Sequence, residues 1–132
     1  MGLFTCLFCA SENAVKRNTK NLYCGNACQQ SYQRKQRFDN LESGGTENHR
    51  VIRDYLVEKF GHTCSRCKLS VWNEQPMPVE LEHIDGNSEN NTLRNCCLLC
   101  PNCHAQTPTY KAKNIGNGRH SRRERYKNGK SF

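Results

Sequence analysis

Apolar residues come in short bursts along this chain, and each burst keeps its own period. Between Thr46 and Gly61, Ile52, Tyr55, Leu56 and Phe60 fall three or four residues apart. That spacing gathers them on one face of an α-helix, which Thr46 can cap and Gly61 can stop. From Val79 to Gly86 apolar and polar residues alternate before meeting Asp85-Gly86, the pattern of a strand entering a turn. Asn87 to Thr92 is a polar loop. Asn95-Cys-Cys-Leu-Leu-Cys100 reads as a strand or turn. Pro101 suits the first position of a short helix, which Pro108 keeps from continuing beyond Thr107. A further helix is expected over Gln29–Phe38. The lone Trp72 is expected to pack beside the Cys64–Cys67 knuckle.

Leu41-Glu-Ser-Gly-Gly-Thr46 is the natural linker, because paired glycines punctuate the chain there. This divides the protein into an N-terminal module (1–40), a linker (41–46), a central module (47–114) and a C-terminal arm (115–132). Charge follows the division. Residues 1–40 carry six Lys/Arg against two acids, residues 41–110 six against nine, and residues 111–132 eight against one. The net charge of +8 points to a polyanion, with nucleic acid as the first choice. The arm, Lys111 to Lys127, is flexible by composition around Gly116 and Gly118 and is expected to order on its partner.

Only 35% of residues are apolar, and ten residues are Cys. A core this thin needs cross-links. No apolar run reaches the ~18 residues of a membrane span, so no membrane partner is expected. The first residues lack a basic stretch followed by an apolar one, so a cytoplasmic location is expected. In that compartment ten Cys favour reduced, metal-binding thiols over disulfides.

Their spacing supports this. Cys64-x-x-Cys67 and Cys100-x-x-Cys103 are two knuckles whose turns can each aim two sulfurs at one ion, completing a tetrahedral zinc site. Cys97-x-x-Cys100 repeats the spacing, so Cys97 could replace Cys103; Cys96 and Cys97 are read as core. A second set, Cys6-x-x-Cys9 and Cys24-x-x-x-Cys28, resembles a treble-clef or similar small zinc finger. Its following helix brings Arg34, Lys35 and Arg37 as candidate DNA contacts beside Tyr32 and Phe38.

Glu82-His-Ile-Asp-Gly-Asn87, then Asn91, Asn95 and Leu98-Leu-Cys-Pro-Asn-Cys-His104 resemble the HNH endonuclease family, particularly its phage-type members. The likeness implies a small zinc-stabilised α+β fold, a ββα-metal core plus the N-terminal finger. It implies a metal-dependent endonuclease that hydrolyses double-stranded DNA to 5′-phosphate and 3′-hydroxyl ends. His83 corresponds to the general base. Glu82 stands where the family usually has Asp or His, and with His104 it would hold one divalent ion, Mg²⁺ or Mn²⁺. Asn95 matches the middle Asn, expected to orient the loop and the His83 ring; Asn91 is a further loop support. Lys111, Lys113, Arg119, Arg122, Arg123 and Arg125 would grip phosphates, and His120 is read as a solvated tail residue. The nuclease would be phage-encoded in a bacterial host, as a monomer or a homodimer on DNA. A non-catalytic zinc-finger DNA-binding protein and an RNA-directed nuclease of the same family remain the alternatives.

Overall fold

Asn48, rather than Thr46, opens the central helix. This is seen in a computed structural model that describes residues 2–116 and 120–130, apart from the side chains of His120 and Arg122. The Asn48 side-chain oxygen accepts from the amides of Arg50 and Val51, both at 3.1 Å. Two otherwise unmatched donors are satisfied by that cap, which Thr46 is too far back to provide. The helix runs His49–Phe60 and stops at Gly61, whose φ of 70° favours glycine. Val51, Ile52, Tyr55 and Leu56 are buried, whereas Phe60 in the last turn is exposed.

The chain forms two compact units, Met1–Asn40 and Leu41–Phe132. In the first, β1 (Leu3–Thr5) pairs antiparallel with β2 (Glu12–Ala14), Phe4 opposite Asn13. A loop then leads to α1 (Asn26–Glu42), longer at both ends than the predicted segment. Leu41 and Glu42 thus lie in a helix and not in a linker, and Leu41 is fully buried. The break falls at Gly44, φ 91°, whose amide returns to the Leu41 carbonyl at 3.1 Å. The helix stops where a residue tolerating positive φ first becomes available, after the last apolar side chain has been buried.

The central helix is α2. After it come the Cys64–Cys67 turn and a small hairpin of β3 (Val71–Trp72) and β4 (Gln75–Pro76), turning through Asn73 and Glu74 at φ 50° and 62°. Such a turn suits the twist of a two-residue hairpin. Trp72 sits on this hairpin about half exposed, so it does not serve as core. The two longest strands of the unit, β5 (Glu80–His83) and β6 (Cys96–Leu99), pair antiparallel from Glu80↔Leu99 to His83↔Cys96. The short helix α3 (Pro101–Ala105) follows β6 directly, and both α2 and α3 pack on the two strands. Ile52, Leu56, Met77, Val79, Leu98 and Leu99 form the buried apolar layer.

The C-terminal arm is not wholly irregular. A helix, α4 (His120–Lys127), occupies its middle, and the Ser121 amide donates to the Glu89 carboxylate at 3.2 Å while the Ser121 hydroxyl bonds the same group. An acid placed at a helix start favours the turn that begins there. Arg119 lies outside the described residues. Among the described residues no helix is long and apolar enough to cross a membrane.

Candidate active site

Eight of the ten Cys gather into two clusters, Cys6/Cys9/Cys24/Cys28 and Cys64/Cys67/Cys100/Cys103, the sulfurs of each lying within 4.8 Å of one another. Cys9 and Cys24 are 3.7 Å apart, Cys24 and Cys28 3.4 Å, and Cys67 and Cys100 3.9 Å. A tetrahedron with zinc–sulfur bonds near 2.3 Å has edges of about 3.8 Å. These separations are far too long for disulfides, and the donor set fits zinc. The second cluster contains Cys103 and not Cys97. Cys96 and Cys97 lie in β6, and burial pushes both thiols up, Cys96 to about 11.

Within the clusters the thiols are electrostatically unequal. Cys6 falls to about 6, chiefly through the Cys9 backbone amide, while Cys28 rises to about 12 against the Cys24 sulfur. Burial opposes ionisation of Cys64, yet backbone amides around Cys100 and Cys67 outweigh it and bring the thiol to about 6. Cys103 is pushed up to about 12 by burial and by its sulfur neighbours. Four thiols this close cannot all ionise unless a cation joins them.

Strand alternation sets Glu80 and Glu82 on one face of β5, and α3 carries His104 against that face. His104 Nε2 stands 2.9 Å from Glu82 Oε2, and its Nδ1 stands 2.5 Å from Glu80 Oε2. Glu82 is buried, and its second oxygen accepts from the Thr109 hydroxyl at 2.6 Å. Glu82 and His104, paired by the sequence reading, therefore meet. Glu80 and Thr109 were missed. The signal for Glu80 was available, since residues two apart on a strand share a face.

His83 closes β5, where regular alternation ends and the loop begins. Its Nε2 lies 2.7 Å from Asn91 Oδ1; with that nitrogen donating, the lone pair of a neutral ring sits on Nδ1. The ring is not held by Asn95, contrary to the sequence reading. Asn95 is buried beneath the loop, its Oδ1 accepting from the Asp85 amide (3.0 Å) and its Nδ2 donating to Asp85 Oδ1 and the Asn90 carbonyl (both 2.9 Å). From the first residue of β6's approach, Asn95 cannot reach past the loop it braces, and the ring falls to Asn91. Burial works against Asp85 ionising, but the Asn90 side chain, the Asn87 amide and Asn95 outweigh it and hold its carboxyl below the usual range.

The chain after α3 folds back over this corner. Tyr110 sets its ring edge-on to His104 at 5.2 Å, and Asn114 Nδ2 donates to the Gly86 carbonyl at 2.7 Å. Gly86 has φ 73°, and a Cβ there would come 2.3 Å from Asn114 Oδ1 and 2.9 Å from Thr109 Cγ2. Only glycine allows so close a return.

The candidate phosphate contacts are spread over both units. In the first, Arg34 stacks on Phe38 at 5.0 Å and Lys35 pairs with Asp39 at 2.7 Å, while Arg37 is exposed. In the second, Lys113 donates to the Ala105 carbonyl at 3.4 Å and Lys111 lies 5.0 Å above the Tyr110 ring, beside the corner just described. Arg123 and Arg125 are exposed on α4.

Comparison with known proteins gives one informative match. The chain is 58% identical over 55 residues to the H-N-H endonuclease F-TflIV of Escherichia phage T5. The matched stretch covers 42% of this chain and 24% of that protein, so the chain spans about a quarter of the relative's length. No family model and no solved structure matches. The likeness to HNH endonucleases read from the motifs thus has a named counterpart.

Proposed function

We propose that the protein is a metal-dependent DNA endonuclease whose reaction centre is built from His83, Glu82 and His104. The observation that carries this is the 2.9 Å approach of Glu82 Oε2 to His104 Nε2, in the residue next to His83. Adjacent ligands of an octahedral hard cation with bonds of 2.0–2.1 Å stand about 3 Å apart. A carboxylate and an imidazole at that separation suit Mg²⁺ or Mn²⁺ with open positions for water and phosphate. Such an ion supplies neutralisation of the scissile phosphate and of the leaving 3′-oxygen.

The chain's own groups do the rest. His83 accepts a proton from the attacking water at Nδ1 while Asn91 holds the ring through Nε2. Thr109 fixes the Glu82 carboxylate, and Asn95 keeps the 84–91 loop in place. Attack on phosphorus with loss of the 3′-oxygen leaves 5′-phosphate and 3′-hydroxyl ends. Both four-cysteine clusters hold structural zinc, since four thiolates leave no open position for substrate. Lys111, Lys113, Arg123 and Arg125, with Arg34, Lys35 and Arg37 in the first unit, contact the phosphates of double-stranded DNA and position it without reading sequence. The same role falls to Arg119 and Arg122. Eight thiols grouped for metal favour a reducing, intracellular setting.

The test is cleavage of supercoiled plasmid by zinc-loaded protein with added Mg²⁺ or Mn²⁺, beside His83→Ala of matched zinc content and a structured RNA. Nicked or linear plasmid from the wild type alone is expected. A wild type that binds plasmid but leaves it intact with every divalent ion is a non-catalytic zinc-finger protein. One that cuts only the RNA has the other polymer as its substrate.

A further inference from the structure

At 3.6 residues per turn, Asn26, Gln29, Gln30, Gln33, Gln36 and Arg37 fall within an arc of about 120° on α1, and all six are exposed. The half-buried residues of the same helix, Cys28, Ser31, Tyr32 and Phe38, lie on the opposite side. So does the one acid of α1 within the first unit, Asp39, bonded to Lys35. The outer face is thus a stripe of carboxamides with a single cation and no carboxylate. The opposite-charge pairs a turn apart that stabilise many solvated helix faces are absent from these six residues.

We infer that this face reads base edges in the major groove of duplex DNA, with Gln29 and Gln33 as sequence-determining residues. The inference rests on DNA being the bound polymer, as proposed above, but not on the cleavage chemistry. A carboxamide carries a donor and an acceptor in one plane and matches N6 and N7 of adenine bidentately. Being neutral, it releases no counterions and contributes discrimination more than affinity. Charge complementarity comes from the cations around it. Lys16 and Lys20 share a shallow surface groove of about 480 Å³ with Tyr23, Asn26, Gln29 and Gln33. The unit as a whole carries six Lys/Arg against two acids. A 17-residue helix is roughly 25 Å long, and a groove ~12 Å wide admits one helix. Arg37, exposed at the far end of the stripe, takes a phosphate there.

The experiment selects from a duplex pool with a randomised core, using full-length zinc-loaded protein without added Mg²⁺ or Mn²⁺, and sequences the bound fraction. Enrichment of a short motif containing adenines is expected. Gln29→Ala/Gln33→Ala should lower preference for the selected duplex over a scrambled one by about 10-fold or more, with the salt dependence of binding unchanged. Glu12→Gln, on β2 and outside the stripe, should keep the motif. Zinc content and far-UV circular dichroism check folding, and Gln30→Ala/Gln36→Ala probes the same stripe should the first pair lose zinc. A wild type that enriches nothing, or glutamine variants that enrich the same motif, overturns the inference. Plasmid cleavage run in parallel separates the two proposals. Cutting without a motif removes base reading and leaves the nuclease, whereas a motif without cutting does the reverse.

Discussion

Glu80 Oε2 sits 2.5 Å from Nδ1 of His104, so the ring whose Nε2 faces Glu82 is held from behind by a second carboxylate. For both carboxylates to accept hydrogen bonds the ring must carry a proton on each nitrogen; a cation held between Nε2 and Glu82, as proposed, would take the place of one of those protons. The remaining Nδ1–H···carboxylate bond would then fix which nitrogen is offered to the metal.

This gives the first prediction. Glu80→Ala should weaken Mn²⁺ binding by the zinc-loaded protein about 10- to 100-fold, and Glu80→Gln, which can still accept from Nδ1, by less. Calorimetric or paramagnetic titration of Mn²⁺ reads this without any cleavage assay. Equal affinity in all three proteins would make the Glu80 contact incidental.

Asn91 and His83 predict a different signature. Asn91→Ala should lower the rate of plasmid cleavage, because the His83 ring is no longer held by Nε2 at 2.7 Å, yet leave the Mn²⁺ titration unchanged. His83→Ala should lose about 100-fold or more of the rate, also with intact metal binding. A shift of the metal titration in either variant would mean that His83 belongs to the metal site instead of acting beside it.

Much of this arrangement was legible from the chain because it rests on local spacing. The Cys-x-x-Cys turns bring their sulfurs together over a few residues, and alternation along β5 puts Glu82 where α3 can present His104. What escaped depended on where the chain goes after α3. Thr109 and Asn114 return to Glu82 and Gly86 from 27 and 28 residues away, and no short-range pattern encodes that. Asn91, and not Asn95, holds the His83 ring for a related reason. Asn95 precedes a buried strand and is locked under the loop, while Asn91 sits at the loop's end beside the His83 ring. The helix cap is Asn48 and not Thr46 because the helix starts at His49, which puts the amides of Arg50 and Val51 within reach of the Asn48 side chain only.

The zinc register can be tested by substitution. Cys103→Ser should remove one zinc per chain and destabilise the second unit, since its sulfur belongs to the cluster with Cys64, Cys67 and Cys100. Cys97→Ser, in β6 outside the cluster, should keep full zinc content. Elemental analysis of the purified variants decides it, and the reverse result would put Cys97 in the site.

Gly86→Ala should lower stability by about 1–3 kcal/mol, the range for a strained backbone position. The added methyl meets Asn114 Oδ1, and Asn114 cannot swing away without giving up its bond to the Gly86 carbonyl. The Oδ1 atom is itself buried without a hydrogen-bond partner, so it has no second bond to take up the displacement. Pairing the change with Asn114→Gly should restore part of the loss in a urea titration. No rescue would assign the cost to the backbone dihedral and the Thr109 methyl instead of Asn114.

The last prediction concerns alkaline pH. Tyr55, buried on α2, donates from its hydroxyl to Glu42 Oε1 at 2.9 Å, and Lys59 lies 3.5 Å from the same oxygen. Burial first, and the Glu42 carboxylate second, raise the phenol above its usual value, with the Lys59 ammonium pulling the other way. A raised phenol means that folding favours the neutral form. Its contribution is therefore fully present below the unfolded value of about 10 and is lost as pH rises from there through the folded value. Tyr55→Phe keeps the ring and removes both the bond and the titration. The difference in urea midpoint between wild type and Tyr55→Phe should stay constant from neutral pH to about 9 and shrink above 10. The other thiols and amines that titrate in that range do so in both proteins and cancel in the difference. A gap that persists unchanged into strong alkali would mean that the Tyr55–Glu42 bond adds nothing to the fold.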